Sequence, residues 1–172
     1  MPIDPTQLTS TELDNLIANH RRHNQTGREL YAAALEERAR RRGKGLEFQK
    51  SSELIRRAAR YGWFLSYKEL ADESGANWSQ VHYAIGSHLW DLVEYAHRRG
   101  WPMLSAVVVN KPNVTTGDME IDTLRGFIAA AKDLGYDVTD ERIFLREQQK
   151  KVFAWAQAID DTTEAGCPGN EN

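Results

Sequence analysis

The chain has 172 residues, 41% of them hydrophobic and 27% charged, which is enough to bury one sizeable core without covalent or metal staples. No apolar run approaches the ~18 residues that span a bilayer, the N-terminus lacks a basic-then-apolar leader, and Cys167 is the sole cysteine. These features exclude a membrane span and a disulfide framework, and a cytoplasmic protein with no membrane partner is expected. The net charge of −3 conceals a gradient: residues 1–60 carry 12 Lys and Arg against 8 Asp and Glu, whereas residues 111–172 carry 7 against 12. A whole-protein charge of this sign offers no general attraction to a polyanion, so any nucleic-acid contact has to come from local patches.

In chain order, Pro2 and Pro5 oppose helix in the first residues. Thr9-Ser10-Thr11-Glu12 has the spacing of a capping box and opens a helix to about His23, with Leu13, Leu16, Ile17 and His20 on one side. A second box, Thr26 to Glu29, opens a helix that runs to Arg42 and closes on Gly43 and Gly45. Its end carries Arg38, Arg40, Arg41, Arg42 and then Lys44, cations that either favour the helix C-terminus or contact phosphates. A third helix spans about Glu47 to Tyr61, with Phe48, Leu54, Ile55, Ala58 and Ala59 inward and Arg56, Arg57 and Arg60 outward.

The organising stretch follows. Ser66 to Glu69 is a third capping box, so a helix begins at Tyr67; Gly75 can end it in the left-handed conformation, and Asn77 can cap the next, over about 77–86. Two short helices joined by a glycine-containing turn make a helix-turn-helix. His88, Leu89, Leu92, Val93, Tyr95 and Ala96 give Gly86 to Arg99 a further helical period, ended by Gly100. Leu104 to Val109 is β-branched enough for a buried strand, and Asn110 to Met119 reads as the loop of a wing. Helices then follow over Ile121 to about Leu134 and over Asp140 to Ile159, the latter with Ile143, Phe144, Val152, Phe153 and Trp155 partly inward. The expected fold is mainly α (α+β): an N-terminal helical layer (1–60), a winged-helix-like core with a short strand or hairpin (61–118), C-terminal helices packed on it (119–158) and a disordered tail (159–172).

The segments Ser66-Tyr67-Lys68-Glu69-Leu70-Ala71, Ala84-Ile85-Gly86 and Trp101-Pro102-Met103-Leu104 with its valines make residues 64–110 resemble the winged-helix DNA-binding domain of alkylguanine-DNA alkyltransferases and alkyltransferase-like proteins. The resemblance needs one extra residue between Gly75 and Gly86. It implies that Tyr67 matches the tyrosine that holds the DNA backbone near an extruded nucleotide. Tyr83 stands where the family has the arginine that fills the gap in the duplex. Val107 and Val108 stand where the reactive cysteine and its histidine would be, so alkyl transfer is excluded and what remains is binding.

A recognition helix reads base edges with its N-terminal exposed residues, here Asn77, Ser79, Gln80, His82 and Tyr83. With Tyr67 and the cations Arg38, Arg41, Arg42, Lys44 and Arg57, these make up the expected DNA surface. Duplex rather than single-stranded DNA is the expected partner, with no cofactor and no metal. His20 and His23 have no convincing third ligand, and the row His88, Asp91, Glu94, His97 reads as a solvated helix face. No Gly-rich phosphate loop, His-Glu-x-x-His, Cys-x-x-Cys or Gly-x-Ser-x-Gly is present, so a non-catalytic protein is expected. Two alternatives stay open: a protein-interaction module or homodimer that keeps the same shape, and a small nuclease or hydrolase whose catalytic residues are dispersed.

Overall fold

Helices begin where the sequence supplies partners for their first amides. Thr9 accepts the Glu12 amide and Glu12 accepts the Thr9 amide at 2.8 Å, which starts α1 (Ser10–Arg22) and points Leu13, Ile17 and His20 into the core. The second expected box fails: Thr26 lies in a turn, and α2 (Glu29–Gly43) starts at Glu29, after the Arg28 amide has bonded to Gln25 O. In α3 (Phe48–Arg60), Phe48, Ser51, Ser52, Ile55, Ala58 and Ala59 are buried at helical spacing. A computed structural model describes the backbone of residues 2–43 and 45–164 and the side chains of 2–42 and 45–158.

The fold is mainly helical, with eight α-helices and a two-stranded sheet among the described residues. Strand β1 (Leu65–Ser66) leads directly into α4 (Tyr67–Glu73) through the Ser66–Glu69 box, and Gly75 takes φ +77° at the following turn. Next come α5 (Trp78–Val81) and α6 (Ile85–Arg98). The strand expected over 104–109 is mostly absent: Leu104–Val107 is a 3-10 turn, and only Val108–Val109 forms β2. Because the Ser66 cap turns β1 into helix, the partner edge offers only two residues, Leu65 opposite Val108 and Ser66 opposite Val109. The pairing is parallel, so Asn110 to Met119 does not close an antiparallel wing between these strands.

The buried segment before β2 is satisfied from elsewhere. Gln149 Nε2 donates to Ala106 O at 3.0 Å and to Gly117 O at 2.7 Å, both from α8 (Glu141–Glu164), while α7 (Ile121–Asp133) lies between in sequence. Ile143, expected partly inward, is 59% exposed, and α8 continues to Glu164 where a disordered tail was expected from 159; the rest of that tail, 165–172, lies outside the described residues. Once a helix is nucleated, further turns add a hydrogen bond per residue and need no core of their own. The buried apolar side chains form one cluster from Leu13 to Ala156, so the three expected segments share a core. Among the described residues no helix is long and apolar enough to cross a membrane.

Candidate nucleic-acid interface

The helix expected over 77–86 is two elements. Asn77 caps α5, its Oδ1 accepting the Ser79 amide at 3.1 Å and the Ser79 hydroxyl at 2.6 Å, but α5 stops at Val81. A turn over 82–84 follows, closed by the Ala84 amide on Val81 O at 2.8 Å, and α6 starts at Ile85. The long helix behind the turn is therefore α6, and the residues at its entrance are Tyr83, Gly86, Ser87 and Trp90.

Of the expected reading residues, Asn77, Ser79, Gln80 and Tyr83 are exposed. Tyr83 is 87% exposed, the most exposed large hydrophobic residue among the described residues, and its ring rests on His82 with centroids 3.8 Å apart. His82 is half-buried, its Nδ1 3.1 Å from Trp78 O, which leaves it less available than its neighbours. Tyr67 is also half-buried; burial pushes its hydroxyl pKa up, a hydrogen bond with Thr123 opposes this, and its ring lines a groove of about 280 Å³ together with Gly86 and Trp90.

The expected phosphate-contacting cations do not form one free patch. Arg38 is 9% exposed and its guanidinium bonds Asp91 at 2.6 Å, so it cannot leave the core to meet a phosphate. Arg41 is a structural clamp: it bonds Glu37 at 2.6 Å and donates to the carbonyls of Leu8, Pro5 and Thr6. Arg40 holds Glu37 from the other side, and the pair of guanidiniums keeps that carboxyl near 2, well below its usual range. Arg42 and Arg57 are different. Arg42 meets Asp14 at 2.8 Å with the two side chains 56% and 43% exposed, and Arg57 meets Glu73 with 65% and 45% exposed. Exposed pairs of this kind contribute about 0.2–1 kcal/mol, so an incoming phosphate can take either arginine from its carboxylate. Lys44 lies outside the described residues.

One cavity takes in two of the expected cations and none of the expected reading residues. It is about 300 Å³ and is lined by Arg21, Arg38, Arg42, Gly86, Ser87 and Asp91, with Trp90 at its side. The N-cap of α6, Ala84, offers no side-chain hydrogen bond, so the first-turn amides remain open to an external acceptor at the positive end of a 14-residue helix. Among the described residues, none would lie within 4 Å of a Cβ added at Gly86. At this opening the start of α6 faces Arg42, with Arg21 held at the side by Glu94 and Arg38 paired with Asp91 in the floor. Sequence reasoning placed the helix boundary at Gly86 instead of at 82–84, so Gly86 and Ser87 were not read as a helix start open to a ligand, and it missed Arg21 because only folding brings α1 alongside α6.

The row on α6 read as a solvated face is instead mostly interior: His88 is 3% and Asp91 7% exposed, and the Glu94 side chain 15%. Opposing side chains explain it. His88 Nε2 lies 2.8 Å from Ser51 Oγ on α3, Asp91 faces Arg38 on α2, and Glu94 takes Arg21 at 2.7 Å and the Tyr31 hydroxyl. His20 is buried as well, with Nδ1 2.9 Å from Leu16 O and its ring against Tyr31. No family model, no curated protein and no solved structure matches the chain.

Proposed function

We propose that the protein binds duplex DNA without chemistry of its own, presenting the entrance of α6 to a backbone phosphate and Tyr83 to the bases beside it. The observation that carries the reading is the shared cavity of Gly86, Ser87, Arg21 and Arg42 at an uncapped helix start. Gln80 and Ser79, exposed on α5, are the adjacent donors for base edges or phosphates. The resemblance of residues 64–110 to alkyltransferase-like DNA-binding domains supports the same surface, since Tyr83 stands at their gap-filling position. Its tyrosine brings a stacking face in place of a charge.

Fluorescence anisotropy of a labelled duplex, titrated with the full chain at several salt concentrations, tests this directly. Binding is expected to weaken with salt, and Arg42→Ala is expected to lower the log–log slope by about 0.9. Ser87→Glu is the sharper variant: a carboxylate in the first turn of α6 favours the helix and repels a phosphate, so the fold gains stability while binding disappears. No binding at low salt, or unchanged binding in Ser87→Glu, overturns the proposal, and metal-dependent cleavage of the duplex would turn it into a nuclease reading.

One observation favours a second reading, a protein-interaction module. Tyr61 and Trp63 are 60% and 64% exposed, with ring centroids 5.1 Å apart. Aromatic pairs of this kind are enriched at protein interfaces. A homodimer in sedimentation equilibrium that dissociates on Trp63→Ser, with no nucleic acid in the sample, is the outcome that reading requires.

A further inference from the structure

Far from the α6 entrance, a cavity of about 620 Å³ opens between α2, α3, the end of α6 and α8. Its apolar side is aromatic. Tyr95 is 9% exposed, Trp101 packs edge-on to it with centroids 6.5 Å apart, and Trp155 of α8 lies 5.2 Å from Trp101. The polar rim has more acids than bases: Asp4, Glu36, Glu37, Glu47 and Glu53 stand against Arg40, Arg56 and Arg99. Glu37 is already held by Arg40 and Arg41, Asp4 accepts the Thr6 amide and Glu36 bonds the Tyr95 hydroxyl, which leaves Glu47 and Glu53, the latter accepting from Gln49, as the carboxylates facing the space.

The molecule itself indicates which chemistry suits this space. The Arg99 guanidinium lies 4.2 Å from the centre of the Tyr95 ring and 5.7 Å from that of Trp101. Arg99 is exposed, and its guanidinium also donates to the Tyr95 hydroxyl. A delocalised cation over aromatic faces, with carboxylates nearby, is a recognised mode of binding guanidinium and alkylammonium groups. A side chain tethered at the mouth is the natural competitor for an external group of the same kind.

We propose that this cavity binds an organic cation, the guanidinium or methylated ammonium of an arginine or lysine on a partner polypeptide, which displaces Arg99 from Tyr95 and Trp101. The site is separate from the DNA surface and does not depend on it. The acidic surplus disfavours a phosphate-bearing ligand, whose charge would face Glu47 and Glu53.

Titration of the full chain, followed by the indole N–H signals of Trp101 and Trp155 in NMR spectra, tests the assignment. The probes are N-acetyl-arginine amide, tetramethylammonium chloride, an arginine-containing peptide and AMP, with sodium chloride at matched ionic strength as the control. The cations are expected to shift both indoles; sodium chloride and AMP are not. Arg99→Ala removes the internal competitor and is expected to tighten cation binding about threefold or more, whereas Glu47→Gln weakens it. Both residues are exposed, so both variants keep the fold. Indole shifts with AMP, no shifts with any cation, or unchanged affinity in Arg99→Ala each overturn the proposal, and a peptide that binds no more tightly than the free amide overturns the polypeptide source.

Discussion

His88 is the clearest case of a side chain whose chemistry is set by where it sits. Its Nε2 meets Ser51 Oγ at 2.8 Å, its Nδ1 has no partner among the described residues, and Phe48 packs against the ring. Burial pushes its pKa down from 6.5 to about 4. The unfolded chain therefore takes up this proton near 6.5, while the folded chain resists it until about 4. Across that window the unfolded state binds more protons, so stability falls as pH drops, by on the order of 3 kcal/mol in full. Asp91 acts the other way, because burial raises its carboxyl pKa despite the Arg38 partner. Urea midpoints measured at pH 7 and pH 4.5 are expected to differ clearly in the native sequence. His88→Gln, which keeps a group for Ser51 but cannot titrate, is expected to bring the two midpoints together.

At the scale of elements, two of the three capping boxes coded within three residues form, the one at Thr26 does not, and what depends on distant partners was not legible. The boxes at Thr9–Glu12 and Ser66–Glu69 form as their spacing predicts, because both partners lie on one turn. The break between α5 and α6, expected at Gly86, falls at 82–84 instead, and its position was obscured for a physical reason: Val81, Ile85, Leu89 and Leu92 are all buried and keep helical spacing straight across it, with no Gly or Pro within the turn. The strand over 104–109 was overestimated because Gln149 completes its backbone at Ala106, and Gln148 that of the preceding Met103, some forty residues later. The loop before α7 shows the same long reach. Gly117 takes φ +73°, its carbonyl accepts from Gln149, and a Cβ there would run into the Phe64 ring. Gly117→Ala is expected to destabilise the fold by about 2–4 kcal/mol, through backbone strain and overpacking together. A loss below ~0.5 kcal/mol in denaturant unfolding would show that the loop yields easily.

Across the whole molecule, charges divide into those that hold α1, α2 and α6 together and those available for exchange. The arginine run at the end of α2 looked uniform in sequence, yet packing brings Asp91 to Arg38 and Asp14 to Arg42 from 53 and 28 residues away. Burial then separates their roles. The inner group centres on Glu94, which pairs with Arg21 at 2.7 Å, accepts from Tyr31 and lies 3.6 Å from Arg98. Arg98 stacks on the Tyr31 ring at 3.8 Å with its terminal nitrogens buried and lacking hydrogen-bond partners among the described residues, so Glu94, 3.6 Å away, is the compensating charge beside it. Removing one member of a largely buried set leaves the others uncompensated, and Glu94→Ala is expected to cost about 3–5 kcal/mol. Arg42→Ala, which breaks only an exposed pair, is expected to change stability by less than ~1 kcal/mol while weakening DNA binding. Chemical denaturation of the two variants beside duplex titration separates these effects: equal losses of stability would erase the distinction between framework charges and exchangeable ones. A stable Arg42→Ala protein that binds poorly instead ties the duplex to the opening at the start of α6.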